Sequence, residues 1–220
     1  MPEKEIHALS SGTGTGISLS MLDFSTVMQA SHAISSEIML ERLLQKIMKY
    51  TVVNAGAQRG FFILDTEGRL TIEAAMEQGA DEVRVMQAIP IEGCNDLAVS
   101  IVNYVHRRGE SVILGNAMQE GAFTRDSYIL NSRCKSILAA PIMNKGKLSG
   151  ILYLENNLSS NAFTTERLEV LRMLSSQAAI SLENARLFDL ATTDGLTRLF
   201  VHRYFQLLLD SEIRKHQQAN

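Results

Sequence analysis

Apolar residues recur at three- and four-residue steps over 20–57: first Met21, Leu22, Phe24, Val27, Met28 and Ile34, then Ile38, Leu40, Leu43, Leu44, Ile47 and Met48. That is a helical period. Ser35-Ser36-Glu37 divides the two runs and can cap the second, and Asn54-Ala55-Gly56-Ala57 closes it. The period then drops to that of a strand. Residues 60–64 and 70–76 read as a hairpin around Asp65-Thr66-Glu67-Gly68. A short helix is expected over 100–108, with Ser100 as its cap and Gly109 as its stop. A third strand follows at 111–114, and residues 117–131 are irregular, with helical character around 125–130. Two stronger strands, 136–144 and 148–155, flank Lys145-Gly146-Lys147. Pro141 inside the first of them predicts an edge position or a bulge.

A long helix is expected over 164–192, with Thr164 or Thr165 as cap. Leu168, Leu171, Leu174 and Ala178 lie on one face, while Val170, Met173, Ile180 and Leu187 lie on another. A single buried stripe needs only one such face. The second either meets a partner helix or sits in the same monomeric core. The order of elements mixes strands and helices without one helix per strand, which predicts an α+β domain with an antiparallel sheet.

Composition narrows the function. At 220 residues, 45% hydrophobic and 20% charged, the chain is an ordinary globular one. Its formal charge of −3 and the absence of any Lys/Arg run longer than Arg107-Arg108 argue against nucleic acid as a partner. Residues 1–18 end in Ser-Ser-Gly-Thr-Gly-Thr-Gly and read as a flexible leader. No strand precedes those glycines and no Gly-Lys-Ser/Thr follows, so they do not form a phosphate loop. The charged start lacks a signal-peptide core, and no apolar run approaches the ~20 residues that cross a bilayer. A cytoplasmic protein without membrane contact is expected. Cys94 and Cys134 are too few for a disulfide framework and form no zinc pattern. The five histidines, His7, His32, His106, His202 and His216, are scattered and pair neither with each other nor with a cysteine. No catalytic constellation or metal site emerges.

The stretch Ser136-Ile-Leu-Ala-Ala-Pro-Ile-Met-Asn-Lys-Gly-Lys-Leu-Ser-Gly-Ile-Leu-Tyr-Leu-Glu-Asn-Asn157 resembles the end of a GAF domain. So do residues 162–171 and Ser175-Ser-Gln-Ala-Ala-Ile-Ser-Leu-Glu-Asn-Ala185. The resemblance extends over roughly 20–190 and implies a sensory domain at 19–190. Its sheet would have about six strands, its N- and C-terminal helices would lie on one face, and a small-molecule pocket would lie on the other. Helix 164–192 would carry the signal, and the N- and C-terminal helices would form a homodimer. Beyond it, Ala191-Thr-Thr-Asp-Gly-Leu-Thr-Arg-Leu199 and Arg203-Tyr-Phe205 resemble the opening of a GGDEF diguanylate cyclase domain. Val201-His202 stands where that family has Asn-Arg, and the metal- and GTP-binding signature does not occur. Residues 191–220 are thus expected to be a truncated start of that domain, with 198–220 poorly ordered or extended for want of packing partners.

The pocket is best compared with that of GAF domains that bind cyclic nucleotides, and this resemblance implies a ligand set. Ser100, Ile101, Val102 and Asn103 correspond to the helix start facing the cyclic phosphate, a place where backbone N–H groups lack partners. Gly60 corresponds to the base-contacting strand position, and Ala75 and Met76 to the pocket-lining end of the second strand. Leu130 and Cys134 fall on the lid, and Tyr153 on the position of a base-contacting acid. Asn103, Asn116, Asp126 and Arg133 are further polar candidates, each equally readable as a solvated loop residue. The family's closing salt bridge is broken: Asn156 and Phe163 are kept, but Asn157 and Arg167 replace its Lys and Asp. A covalent bilin would imply Cys-His where Thr124-Arg125 stands, and no histidine maps to the pocket as a haem ligand. The expected ligand is therefore a non-covalent cyclic nucleotide, cyclic AMP ahead of cyclic GMP, controlling an attached cyclase. A ligand-free dimerisation module and a thiol-based reductase are the rival readings.

Overall fold

The computed structural model describes residues 39–218, apart from 67, 80–82 and 198. The leader at 1–18 and the first helical run lie outside the described residues. The second run forms α1 (Leu40–Ala55), which stops where Gly56 takes a left-handed φ of 66° and its N–H meets the carbonyls of Val52 and Val53. Strands β1 (Arg59–Thr66) and β2 (Arg69–Glu77) form the expected hairpin, and the Gly68 N–H donates to Asp65 Oδ1 at 2.8 Å in its turn. The sequence reading missed β3 (Arg84–Pro90), which pairs only with β2. Then come α2 (Val99–Arg108), β4 (Val112–Leu114), α3 (Ser127–Ser132), β5 (Ser136–Asn144), β6 (Lys147–Asn156), α4 (Thr165–Thr192) and α5 (His202–Gln218).

Among the described residues the strands form one six-stranded antiparallel sheet in the order β3-β2-β1-β6-β5-β4. Strand alternation sorts its side chains. Phe62, Ala74, Leu152 and Leu154 face α1 and α4, whereas Phe61, Ile63, Ile151 and Tyr153 face α2 and α3. A register shift opposite Phe62 and Ile63 leaves Glu73 as the extra residue of β2, so Ile72 and Ala75 share a face although three apart. Pro141 lies beyond the stretch of β5 that pairs with the three-residue β4, and its missing N–H interrupts no ladder there.

α4 begins at its expected cap, where Thr164 Oγ1 accepts from the Arg167 N–H. Leu168, Leu171, Leu174, Ala178, Leu182 and Ala185 are buried in the sheet-side core. Met173, Ile180 and Leu187, seven residues apart, stay 53%, 49% and 54% exposed. Among the described residues these three positions of the second face are therefore uncovered, while Val170 packs against the core. Arg167, one of the two replaced positions of the broken salt bridge, and the retained Asn156 hold the end of α1. Arg167 Nη1 donates to the Ala55 and Ala162 carbonyls at 2.9 and 2.7 Å, and Asn156 Nδ2 donates to the Gly56 carbonyl at 2.9 Å. A cation at a helix C-terminus also matches the dipole there. Where poorly ordered or extended chain is expected, residues 202–218 form helix α5. A bridge between Thr193 and Phe200 and edge-to-face contacts of Tyr204 with Phe188 and Phe200 seat its start.

Candidate functional site

On the sheet face opposite α1 and α4, the loop 91–98 and the short helix α3 enclose a half-open cleft of about 340 Å³. That lies within the ~300–1,000 Å³ typical of small-molecule sites. Cys94, Leu97 and Val99 line one side, and Asp126, Tyr128 and Asn131 line the other. α2 starts one residue earlier than its sequence suggests, so Ser100 is a helical residue and Ala98 is the cap. The cap has no side-chain acceptor of its own, and the first-turn donors find partners elsewhere. The Ala98 N–H donates to the Tyr153 hydroxyl at 3.3 Å. The Ser100 N–H donates to Asp126 Oδ2 at 3.3 Å, and the Ser100 hydroxyl donates to the same oxygen. The other oxygen of Asp126 caps α3, accepting from the N–H groups of Tyr128 and Ile129 at 2.8 and 3.3 Å. One carboxylate therefore satisfies two helix starts and ties α3 to α2.

Behind the cleft lies a buried charged cluster. Glu155, on β6, is fully buried and projects to the same side as Tyr153. The Tyr128 hydroxyl donates to both of its carboxylate oxygens, at 2.7 and 2.8 Å. Arg59 Nη1 reaches Glu155 at 3.2 Å and the Tyr128 oxygen at 3.1 Å, while Arg59 Nε pairs with Glu77 at 2.9 Å. Burial pushes the Glu155 carboxyl above its ordinary value, and the donors from Tyr128, Arg59 and Tyr153 only partly offset that. Arg59 is less deeply buried. Desolvation works against its charge, but Glu155, Tyr128, Glu77 and Asp96 together hold its pKa above the usual value. Burial, then Glu155, pushes the Tyr128 phenol up. The same two causes raise the Cys134 thiol to about 12, which keeps it protonated and a poor nucleophile.

The sequence candidates divide by where they point. Ala75, Tyr153 and Cys134 lie in the core under the cleft, and Asp126 and Ser100 join at its edge. Ile101 and Val102 are buried packing residues of α2, and Asn103 is half-buried one position on. Met76 is corrected: alternation places it on the opposite face, in the core with α1. Gly60 is corrected likewise. A Cβ there would meet Val52 Cγ2 at 2.6 Å, Leu154 Cδ2 at 2.9 Å and Met48 Cε at 3.0 Å, so Gly60 faces α1 and a side chain at this position would press on it. Leu130 is exposed, and Arg133 is an exposed α3 cap with a left-handed φ of 53°. Neither lines the cleft. Asn116 Oδ1 accepts from the Met118 N–H at 3.2 Å and holds its own turn.

Glu155, Arg59 and Tyr128 were missed as site residues. The signal available was a single acid at an inward position of an otherwise apolar strand. Among the described residues no group of three or more His, Cys, Asp or Glu side chains could hold a metal ion. No helix among them is long and apolar enough to cross a membrane.

The family model for the GAF domain matches residues 39–182. The hybrid signal transduction histidine kinase G of Dictyostelium discoideum is 45% identical over 97 residues, 44% of this chain and 3% of that protein. Diguanylate cyclase A of Treponema denticola is 34% identical over 70 residues, 31% of this chain and 19% of that protein. The chain thus spans a small part of the curated relatives it matches. Among solved structures, the GAF domain of an Acinetobacter phosphoenolpyruvate-protein phosphotransferase is 19% identical with a TM-score of 0.60, covering 76% of this chain and 95% of that one. A free methionine-R-sulfoxide reductase from Neisseria meningitidis, in complex with its substrate, is 15% identical with a TM-score of 0.58, covering 83% and 99%. At these identities the two structures speak for the fold alone.

Proposed function

The chain belongs to the GAF domain family, here in the company of signalling proteins, and from that premise we propose that it is the ligand-sensing part of a longer regulatory protein. The observation that carries this reading is the cleft under α3, on the sheet face that α1 and α4 leave free. A ligand there changes the packing of α3. Any shift it produces is limited by its differential affinity for the open and closed forms. The output segment is residues 191–220, read as the start of a diguanylate cyclase domain. Asp194 supports it by forming the turn of the Asp-Gly-Leu-Thr motif, accepting from the Thr197 N–H at 2.9 Å and its hydroxyl at 2.8 Å. Transmission runs along α4, whose Met173, Ile180 and Leu187 stripe would pack against the same stripe of a second copy.

A cyclic nucleotide, cyclic AMP ahead of cyclic GMP, is the ligand the family resemblance suggests. Its phosphate would have to displace the Asp126 carboxylate from Ser100, since that carboxylate already occupies the helix start. The same occupancy favours a second reading, a ligand-free dimerisation module. Thermal unfolding of the chain with cyclic AMP, cyclic GMP, AMP and GTP in large excess separates the two. Ligand at 100 times its Kd stabilises a native state by about 2.7 kcal/mol, a rise of several degrees at ~2–4 °C per kcal/mol. A rise with one cyclic nucleotide and none with AMP supports a selective sensor. No rise with any of them removes cyclic nucleotides from the reading.

A further inference from the structure

We propose that the cleft under α3 takes a small ligand bearing a protonated amine or guanidine, and that this group replaces the Tyr128 hydroxyl on Glu155. Tyr128 is then the gate between the cleft and the buried carboxylate. The inference rests on the sensor reading above and gives it a ligand class.

Charge comes first. No lysine, arginine or histidine lines the cleft, and its one charged lining side chain is Asp126. Arg125 and Arg133, which flank α3, are exposed and are not part of the cleft lining. An anion entering this space meets a carboxylate, whereas a cation meets a compensating one.

The second observation is the position of Tyr128. Its ring lines the cleft while its hydroxyl touches both oxygens of Glu155. Arg59, Tyr153 and Cys134 also surround Glu155, but none of them lines the cleft. A ligand therefore reaches the carboxylate by moving this one side chain. Arg59, the charged partner of Glu155, is shared with Glu77 and lies within the field of Asp96, so carboxylates outnumber cations in this cluster, and Arg59 Nη1, which also reaches the Tyr128 oxygen, borders the position the incoming cation takes. An ionised N–H donor makes a stronger bond to a carboxylate than a neutral hydroxyl does, and that gain has to exceed the ligand's desolvation and the repulsion from Arg59, whose N–H loses the Tyr128 oxygen as acceptor. Leu97, Val99 and Cys94 offer an apolar wall to the rest of the molecule.

The third observation is that α3 is a short element, anchored in the core by Ile129 and Tyr128. It has six residues, and its C-cap, Arg133, sits at a positive φ that non-glycine residues adopt at a cost. Its links to the rest of the domain include Tyr128–Glu155 and Asp126–Ser100. Displacing Tyr128 removes the first of these and one of the helix's two buried anchors, so α3 shifts about the other, Ile129, and occupancy becomes a conformational signal.

Calorimetric titration of the whole chain tests this, with 1,4-diaminobutane as the amine probe, agmatine as the guanidine probe, and cyclic AMP and cyclic GMP as anionic probes. Each is titrated into the wild type, Tyr128→Phe and Glu155→Gln, with circular dichroism to confirm folding. The expected result is binding of at least one cationic probe, tightened about tenfold in Tyr128→Phe, where the competing hydroxyl is gone, and weakened at least tenfold in Glu155→Gln. Which probe binds distinguishes ammonium from guanidinium recognition. Absence of cationic binding to folded Tyr128→Phe overturns the proposal, even if Glu155→Gln does not fold. So does equal affinity in wild type and Glu155→Gln. Binding of a cyclic nucleotide without either cation overturns it and leaves the sensor reading standing. Silence of all four probes overturns it and favours the ligand-free module.

Discussion

Replacing Tyr128 by Phe removes a single oxygen and leaves the ring in place, so its cost isolates the contact with Glu155. In the wild type that hydroxyl donates to both carboxylate oxygens, at 2.7 and 2.8 Å. A hydrogen bond to a charged group contributes about 1.5–3 kcal/mol. The fold should lose that much at pH 7, a drop in Tm of roughly 3–12 °C for a domain of this size. The same substitution in a Glu155→Gln background should cost less than about 1 kcal/mol, because no buried charge is left short of a donor. The coupling between the two sites is then about 1–2 kcal/mol. The pH dependence has a definite sign. Burial raises the Glu155 carboxyl above its ordinary value, so the folded state binds this proton more tightly than the unfolded state. That contribution is fully present below the unfolded value and is lost as pH rises through the folded one. Tyr128 favours the ionised form, so its loss raises the folded value further. The penalty of Tyr128→Phe is therefore largest at neutral pH and shrinks as pH falls into the carboxyl range. Urea or thermal unfolding of the four chains from pH 4 to pH 8 measures all of this. Equal cost in both backgrounds, or a penalty that does not change with pH, refutes the reasoning.

Gly60→Ala should destabilise the fold by about 1–3 kcal/mol through overpacking against Val52, Leu154 and Met48, while ligand affinity is unchanged; a neutral effect on Tm would show that α1 gives way. Asp126→Ala should cost about 0.5–2 kcal/mol as a lost cap and speed amide exchange at 127–132 without touching the sheet, as hydrogen exchange would show. Ile180→Glu, in the middle of the exposed stripe on α4, should convert a dimer to a monomer in light scattering without lowering the melting temperature of the monomer. A dimer that survives it places the interface elsewhere.

Much of the architecture was legible because its signals are local. The hairpin at Lys145-Gly146 shows in two adjacent residues, and both adopt positive φ, 49° and 78°. The seven-residue spacing of Met173, Ile180 and Leu187 likewise needs no partner to be seen in the sequence. β3 was missed because Arg84–Pro90 is an edge strand that pairs with β2 alone, and Arg84, Gln87 and Pro90 break up its apolar residues so that no clean two-residue alternation shows. Its identity as a strand comes from the neighbour it completes.

The site was less legible, for a physical reason. Met76 and Gly60 were assigned to the pocket by correspondence of position, yet which face of a strand a residue serves is fixed by parity, and a shift of one reverses it. The β1–β6 ladder sets Arg59 opposite Glu155 and Gly60 opposite Leu154. The charged pair thus points under α3, and the glycine points at α1. Parity within β6 could have found Glu155: Ile151, Tyr153 and Glu155 alternate with Leu152 and Leu154, so an acid had to enter the core beside Tyr153. Its partners could not have been found that way. Arg59 is 96 residues distant in sequence and Tyr128 27, and both meet it only through pairings that the whole sheet decides. A buried charge left without such partners would cost several kcal/mol. An inward acid on an apolar strand is therefore itself a forecast that a distant cation and a distant donor converge on it, even where the sequence does not say which.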